Sequence, residues 1–143
     1  MNLDSYLFKA WSKFIFFFIN ILAIYLFFKG HNEPGGGFIA GIASGISIIF
    51  LYMALGKTKI NQILTIDASI IALVGLLIAF ITAIAPICFG YPFLYHKMIH
   101  LHLPLMGDLH VGTPLFFDLG VYFVVVGISA KIAIMFDLYK EAQ

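Results

Sequence analysis

Four apolar runs, divided by short polar or glycine-rich stretches, dominate the chain. The first, Phe14 to Phe28, is bracketed by Lys13 and Lys29, which can snorkel to headgroups, and with Ala10 and Trp11 it predicts a helix over residues 10–29. The second is uncharged and predicts a helix over 38–55. The third, with Asp67 in its first turn, predicts one over 66–87. The fourth predicts a helix over 114–136, opening on Pro114, a residue well tolerated in a first turn, with Asp118 about one turn in and Lys131 near the far end. Each run is close to the roughly 20 residues that cross a bilayer. The expected fold is an all-α membrane protein, a bundle of four transmembrane helices in a single integral membrane domain, 1–143.

The connections are equally informative. Lys29 to Gly37 reads KGHNEPGGG, and Pro34 with Gly35, Gly36 and Gly37 forbids a continuing helix, so a tight turn at the membrane surface is expected. Glycine there permits positive φ and a close backbone contact at the head of the second helix. The run PGGGF lacks the Lys-Ser/Thr ending of a phosphate-binding loop and follows no strand. Cys88 to Thr113 is a longer connection holding every histidine except His31, and HLHLPLMGDLH within it reads as a loop with apolar alternation and a proline.

Composition narrows the class. At 62% hydrophobic and 10% charged residues, the chain departs from a soluble domain, which is nearer half apolar and a quarter charged. A net charge of +1 without a basic run excludes nucleic acid as a natural partner. The single cysteine, Cys88, excludes an intrachain disulfide. No small-residue cleavage site follows the first apolar run, so that run is expected to stay as a permanent helix. Lys9, Lys13, Lys57, Lys59, Lys131 and Lys140 fall on one side of the expected membrane, against Lys29 and Lys97 on the other. The lysine-rich side is usually cytoplasmic, so both termini are expected in the cytoplasm.

Two helices carry small-residue faces: Gly37, Gly41, Ser44 and Gly45 on the second, and Gly75, Ala79, Thr82, Ala83 and Pro86 on the third. Such faces let helix backbones approach where lipid removes the usual hydrophobic drive. The expectation is that these two helices pack on each other, contact with another chain being the alternative. Asn20, in the middle of the first helix, needs a partner for its amide, worth ~1 kcal/mol across helices.

Ionisable groups within membrane spans are costly and default to functional candidates. Asp118 and Lys131 stand about 20 Å apart along one helix and cannot pair with each other. Lys131 can pair with Asp67 if the third and fourth helices are neighbours, while Asp118 is expected near the turn bearing Lys29, His31 and Glu33. Asp118, Lys131 and Asp67 are the candidate ion-path or interface residues. Pro34, Gly35, Gly36, Gly37, Gly41 and Gly45 are the turn and packing candidates. No charge falls at the centre of a span, which argues against an autonomous carrier. His96, His100, His102 and His110 with Asp108 make a metal site conceivable. A membrane haem or di-iron centre would instead place histidines on facing helices, so no metal, cofactor or catalytic residue is assigned.

The segments GHNEPGGGFIAG from Gly30, FGYPFL from Phe89, HLHLPLMGDLH from His100 and GTPLFFDLGVYFVVVG from Gly112 occur in an order that resembles the MnhB (MrpB) family, small subunits of the Mrp-type monovalent cation/proton antiporters, across nearly the whole chain. That resemblance implies a small, non-catalytic, multi-pass subunit in a prokaryotic plasma membrane. Its complex would exchange Na+ or Li+ for H+ in cation and pH homeostasis. Other subunits and membrane lipid would be its partners, and large subunits similar to those of respiratory complex I would carry the proton path. Related subunits also occur in ion-pumping membrane-bound hydrogenases, which supplies an alternative setting. A histidine-based membrane metalloenzyme is the alternative of another class.

Overall fold

A computed structural model describes residues 3–30, 35–56, 67–93, 95, 98–103 and 107–141, with side chains described over 7–30, 35–56, 67–93, 95 and 112–136. Its elements are α1 (Leu3–Lys29), α2 (Gly36–Leu55), α3 (Ala68–Cys88), β1 (Met98–Leu103), β2 (Gly107–Gly112) and α4 (Thr113–Glu141). Among the described residues, four segments are long and apolar enough to cross a membrane: Leu7–Lys29, Gly36–Leu55, Ala68–Cys88 and Thr113–Phe136.

The helix ends follow local chemistry. Gly35 enters α2 at φ 114, a left-handed conformation that a Cβ would strain, and its carbonyl accepts from Ile39 N at 3.1 Å. Asp67 caps α3, its carboxylate accepting the backbone N–H of Ser69 at 2.9 Å and so satisfying a donor left orphaned at the helix start. At the other end of α3, Gly90 N donates to Ile87 O and Tyr91 N to Pro86 O, both at 3.0 Å. This is the paired carbonyl capture of a Schellman ending. Tyr91 then stacks on Tyr95 with ring centroids 4.6 Å apart.

The principal helix contacts form a sequence. α2 packs between α1 and α4, and α4 packs between α2 and α3, giving the spatial order α1–α2–α4–α3. The expectation that the second and third helices pack on each other is therefore corrected, because both put their small-residue faces on α4, from different sides. Small side chains show that a backbone can come close; they do not name which one. Gly37, Gly41 and Gly45 of α2 meet Asp118, Val125 and Ser129 in ascending order, so α2 and α4 run parallel. α3 runs against α4, with Gly75 beside Gly120 and Ala72 beside Gly127. α1 runs against α2, with Phe8 on Phe50 near one end and Phe27 O by Gly36 at the other.

The connection read as a loop contains a two-stranded antiparallel sheet, β1 with β2. The alternation HLHL is a period-2 signal that a strand satisfies and a loop does not require. Pro104, the reason to discount it, falls in 104–106, outside the described residues.

Candidate functional site

The candidate residues converge on α4, which carries small-residue contacts on two sides and charged groups toward both ends. At its first turns, the carbonyl oxygen of Asp118 abuts the position that a Cβ on Gly37 would occupy. The backbones of α2 and α4 approach there as closely as glycine alone allows. The Asp118 residue itself is half-buried and partnered. Lys29, expected nearby, sits with its Nζ 5.6 Å from the ring centroid of Tyr25 on its own helix. Pro34, His31 and Glu33 lie outside the described residues.

The middle of the layer is joined by neutral hydrogen bonds. Asn20 Nδ2 donates to Phe16 O and to Ser47 Oγ, each at 2.8 Å. Ser47 Oγ donates to Ser44 O at 2.7 Å. Ser44 Oγ and Tyr122 Oη share a hydrogen bond at 3.1 Å. The amide of α1 thus finds its partner in α2, and one turn along α2 a second hydroxyl reaches α4. Tyr122 also meets Phe27 edge-on at 5.9 Å, which brings α1 against α4 at this level. In lipid such bonds fix register, because a buried amide or hydroxyl without a partner has no water to turn to.

On its other flank α4 meets α3 through glycines. A Cβ on Gly120 would lie 2.6 Å from Ala79 N, and one on Gly127 would lie 2.6 Å from Ala72 N. Reasoning from the small-residue faces of the second and third helices alone misses this pair, and misses Tyr122. Gly120 and Gly127 sit two helical turns apart, and Ala130 extends their face, so a period search over GVYFVVVG is the signal that finds them.

Toward the far end, Lys131 Nζ lies 3.6 Å from Asp67 Oδ1. Side-chain exposures of 44% and 56% make this a solvated pair of small energetic weight. The Asp67 carboxyl is held below its ordinary value of 3.8, first by the hydrogen bond from the Ser69 backbone, then by the Ser69 hydroxyl and the Lys131 charge. Asp67 is thus a cap first and an ion-pair member second. Among the described side chains, no group of three or more His, Cys, Asp or Glu is placed to hold a metal ion. Cys88 is a free, exposed thiol.

Apolar spans held by glycine seams and neutral hydrogen bonds, with charges toward the ends of α4, define a multi-pass helical membrane protein. The model of a family described as "Domain related to MnhB subunit of Na+/H+ antiporter" matches residues 7–131. The chain is 40% identical to the B-type Na(+)/H(+) antiporter subunit of Bacillus subtilis, over 85% of each chain. It is 36% identical to "Putative antiporter subunit mnhB2" of Staphylococcus haemolyticus, over 92% of this chain and 94% of that one. The chain belongs to the MnhB family.

Proposed function

We propose that this chain is a small, non-catalytic membrane subunit of a multisubunit Na+(Li+)/H+ antiporter, resident in the bacterial plasma membrane and serving cation and pH homeostasis. The observation that carries this reading is family membership over 7–131, with relatives named as antiporter subunits. Those names favour the antiporter setting over the hydrogenase alternative and over a metalloenzyme. The residues agree in character. The Asn20–Ser47 and Ser44–Tyr122 bonds between helices are neutral, whereas an autonomous carrier needs groups that change charge between two access paths.

In this reading the other subunits of the complex and the surrounding lipid are its partners, and Na+ and H+ are cargo of the whole complex. Both termini and the Asp67–Lys131 pair face the cytoplasm, following the lysine bias, and Asp118 lies toward the outer surface. Asp118 contributes to an ion path shared with a neighbouring subunit or to the interface with it. Deleting the chain while retaining the other subunits should abolish Na+- and Li+-linked proton exchange in everted vesicles. The purified chain alone, in vesicles, should exchange nothing; exchange by the single chain would overturn the reading.

A further inference from the structure

The aromatic segment that follows α3 is exposed and yet firmly held. Phe89, Tyr91, Phe93 and Tyr95 are between 41% and 79% exposed, and no charged residue falls among them. Gly90, at φ 78, turns the chain back at the end of α3, where Tyr91 N donates to Pro86 O at 3.0 Å. Tyr95 N donates to Pro92 O at 3.1 Å, and Tyr95 O accepts from Thr113 Oγ1 at 3.3 Å. Pro86 stands in the last turn of one membrane-spanning segment and Thr113 opens another, so the two ties hold these rings at one membrane boundary.

The flank of α3 that leads to them has a matching composition. Gly75 and Ala79 are buried on α4, and Ala83 is buried as well. Every exposed position from Ile70 to Ile87 carries Ile, Leu, Val or Phe. Contacts between membrane helices favour small residues that let backbones approach, whereas bulky aliphatic side chains match the acyl chains of lipid. The glycine face of α3 is already occupied by α4.

We infer that Phe89, Tyr91, Phe93 and Tyr95 form an anchor in bilayer phospholipid, seated where acyl chains meet headgroups, and that the exposed flank of α3 faces lipid and not another subunit. Tyrosine suits that depth because its ring is apolar and its hydroxyl reaches water, while phenylalanine follows the acyl chains. Tyr91 and Tyr95 stack with centroids 4.6 Å apart and planes 13° from parallel, so the pair enters the boundary already ordered. Preordered rings lose little rotamer freedom on meeting lipid. The inference rests on the chain's crossing the membrane and not on which ions its complex moves, so its test reads no transport.

The test places a nitroxide on Phe93→Cys, and separately on Leu77→Cys, in a background that carries Cys88→Ser and leaves no other reactive cysteine in the complex. The assembled complex is returned to phospholipid vesicles. Relaxation of the label by oxygen, which concentrates in lipid, is then compared with relaxation by a water-soluble nickel chelate. Oxygen is expected to dominate at least twofold at both sites, and by more at Leu77, which lies at the middle of its span. A label reached by neither reagent is covered by protein, and one reached mainly by nickel stands in water; either result overturns the inference. Should Phe93→Cys fail to assemble, Phe93→p-benzoylphenylalanine, which keeps a ring at that position, is photolysed in native membranes. A phospholipid adduct on this chain supports the anchor, and an adduct to another subunit, or none at all, overturns it.

Discussion

The main-chain oxygen of Asp118 fills the space that any side chain on Gly37 would require. Two segments singled out by their sequences, the glycine turn and the opening of the fourth helix, are thereby one structural unit. The carboxylate of Asp118 is carried on a backbone wedged against the head of α2.

Gly37→Ala should force these two backbones apart. Overpacking of this kind costs about 1–3 kcal/mol, and the complex is expected to melt earlier and to be recovered in reduced yield. Ile39→Ala, at an exposed position on the same helix, is the control and should change neither. Thermal melting of the purified complex and co-purification of its subunits measure both effects.

The Asn20–Ser47 bond can be weighed by a double-mutant cycle with Asn20→Leu and Ser47→Ala. Interhelical bonds in membranes couple by about 0.6 kcal/mol on average and up to about 1.7. A coupling in that range is expected from unfolding in mixed micelles. Strictly additive variants would show that the contact contributes nothing beyond its separate parts.

Asp67 makes a pH-dependent prediction. Its carboxyl titrates below 3.8 in the folded chain, so its stabilising contribution is complete above that value and disappears as pH falls through the lowered one. The melting deficit of Asp67→Ala, which removes cap and charge together, should thus be constant from about pH 5 upward and shrink only in strong acid. Since Ser69 is the leading cause, Lys131→Met should reproduce only a small part of the deficit, and salt should weaken only that part.

Asp118→Asn keeps the side chain's volume and one acceptor while removing its charge. If Asp118 serves a shared ion path, the complex should assemble normally and exchange Na+ for H+ at a reduced but measurable rate, because the residue lies near the end of its span. Normal assembly with fully normal exchange across the working pH range would remove it from the mechanism.

The four spans are legible in the sequence because an uncharged run of bilayer length has few alternative fates, and the need of Asn20 for a partner is legible because an amide in lipid must bond. The pairing of Asp67 with Lys131 follows from their positions once the third and fourth helices are neighbours. What a single sequence does not supply is the order of helices across the layer. The stripe Gly37–Gly41–Gly45 is equally compatible with any slender partner, and only three-dimensional placement assigns it to α4. The hairpin escapes a loop-based reading for a different reason. Its alternation is plain in HLHL and again from Asp108 to Val111, but the proline between them counts against strands only if they include it, and these end before it and begin after it.

A succession of pairwise helix seams has two ends. Helices joined in the sequence α1–α2–α4–α3 hold each inner helix by two seams and each outer helix chiefly by one. A disturbance at the seam of α1 or of α3 is therefore shared with no second strong neighbour, whereas one in α2 or α4 reaches two.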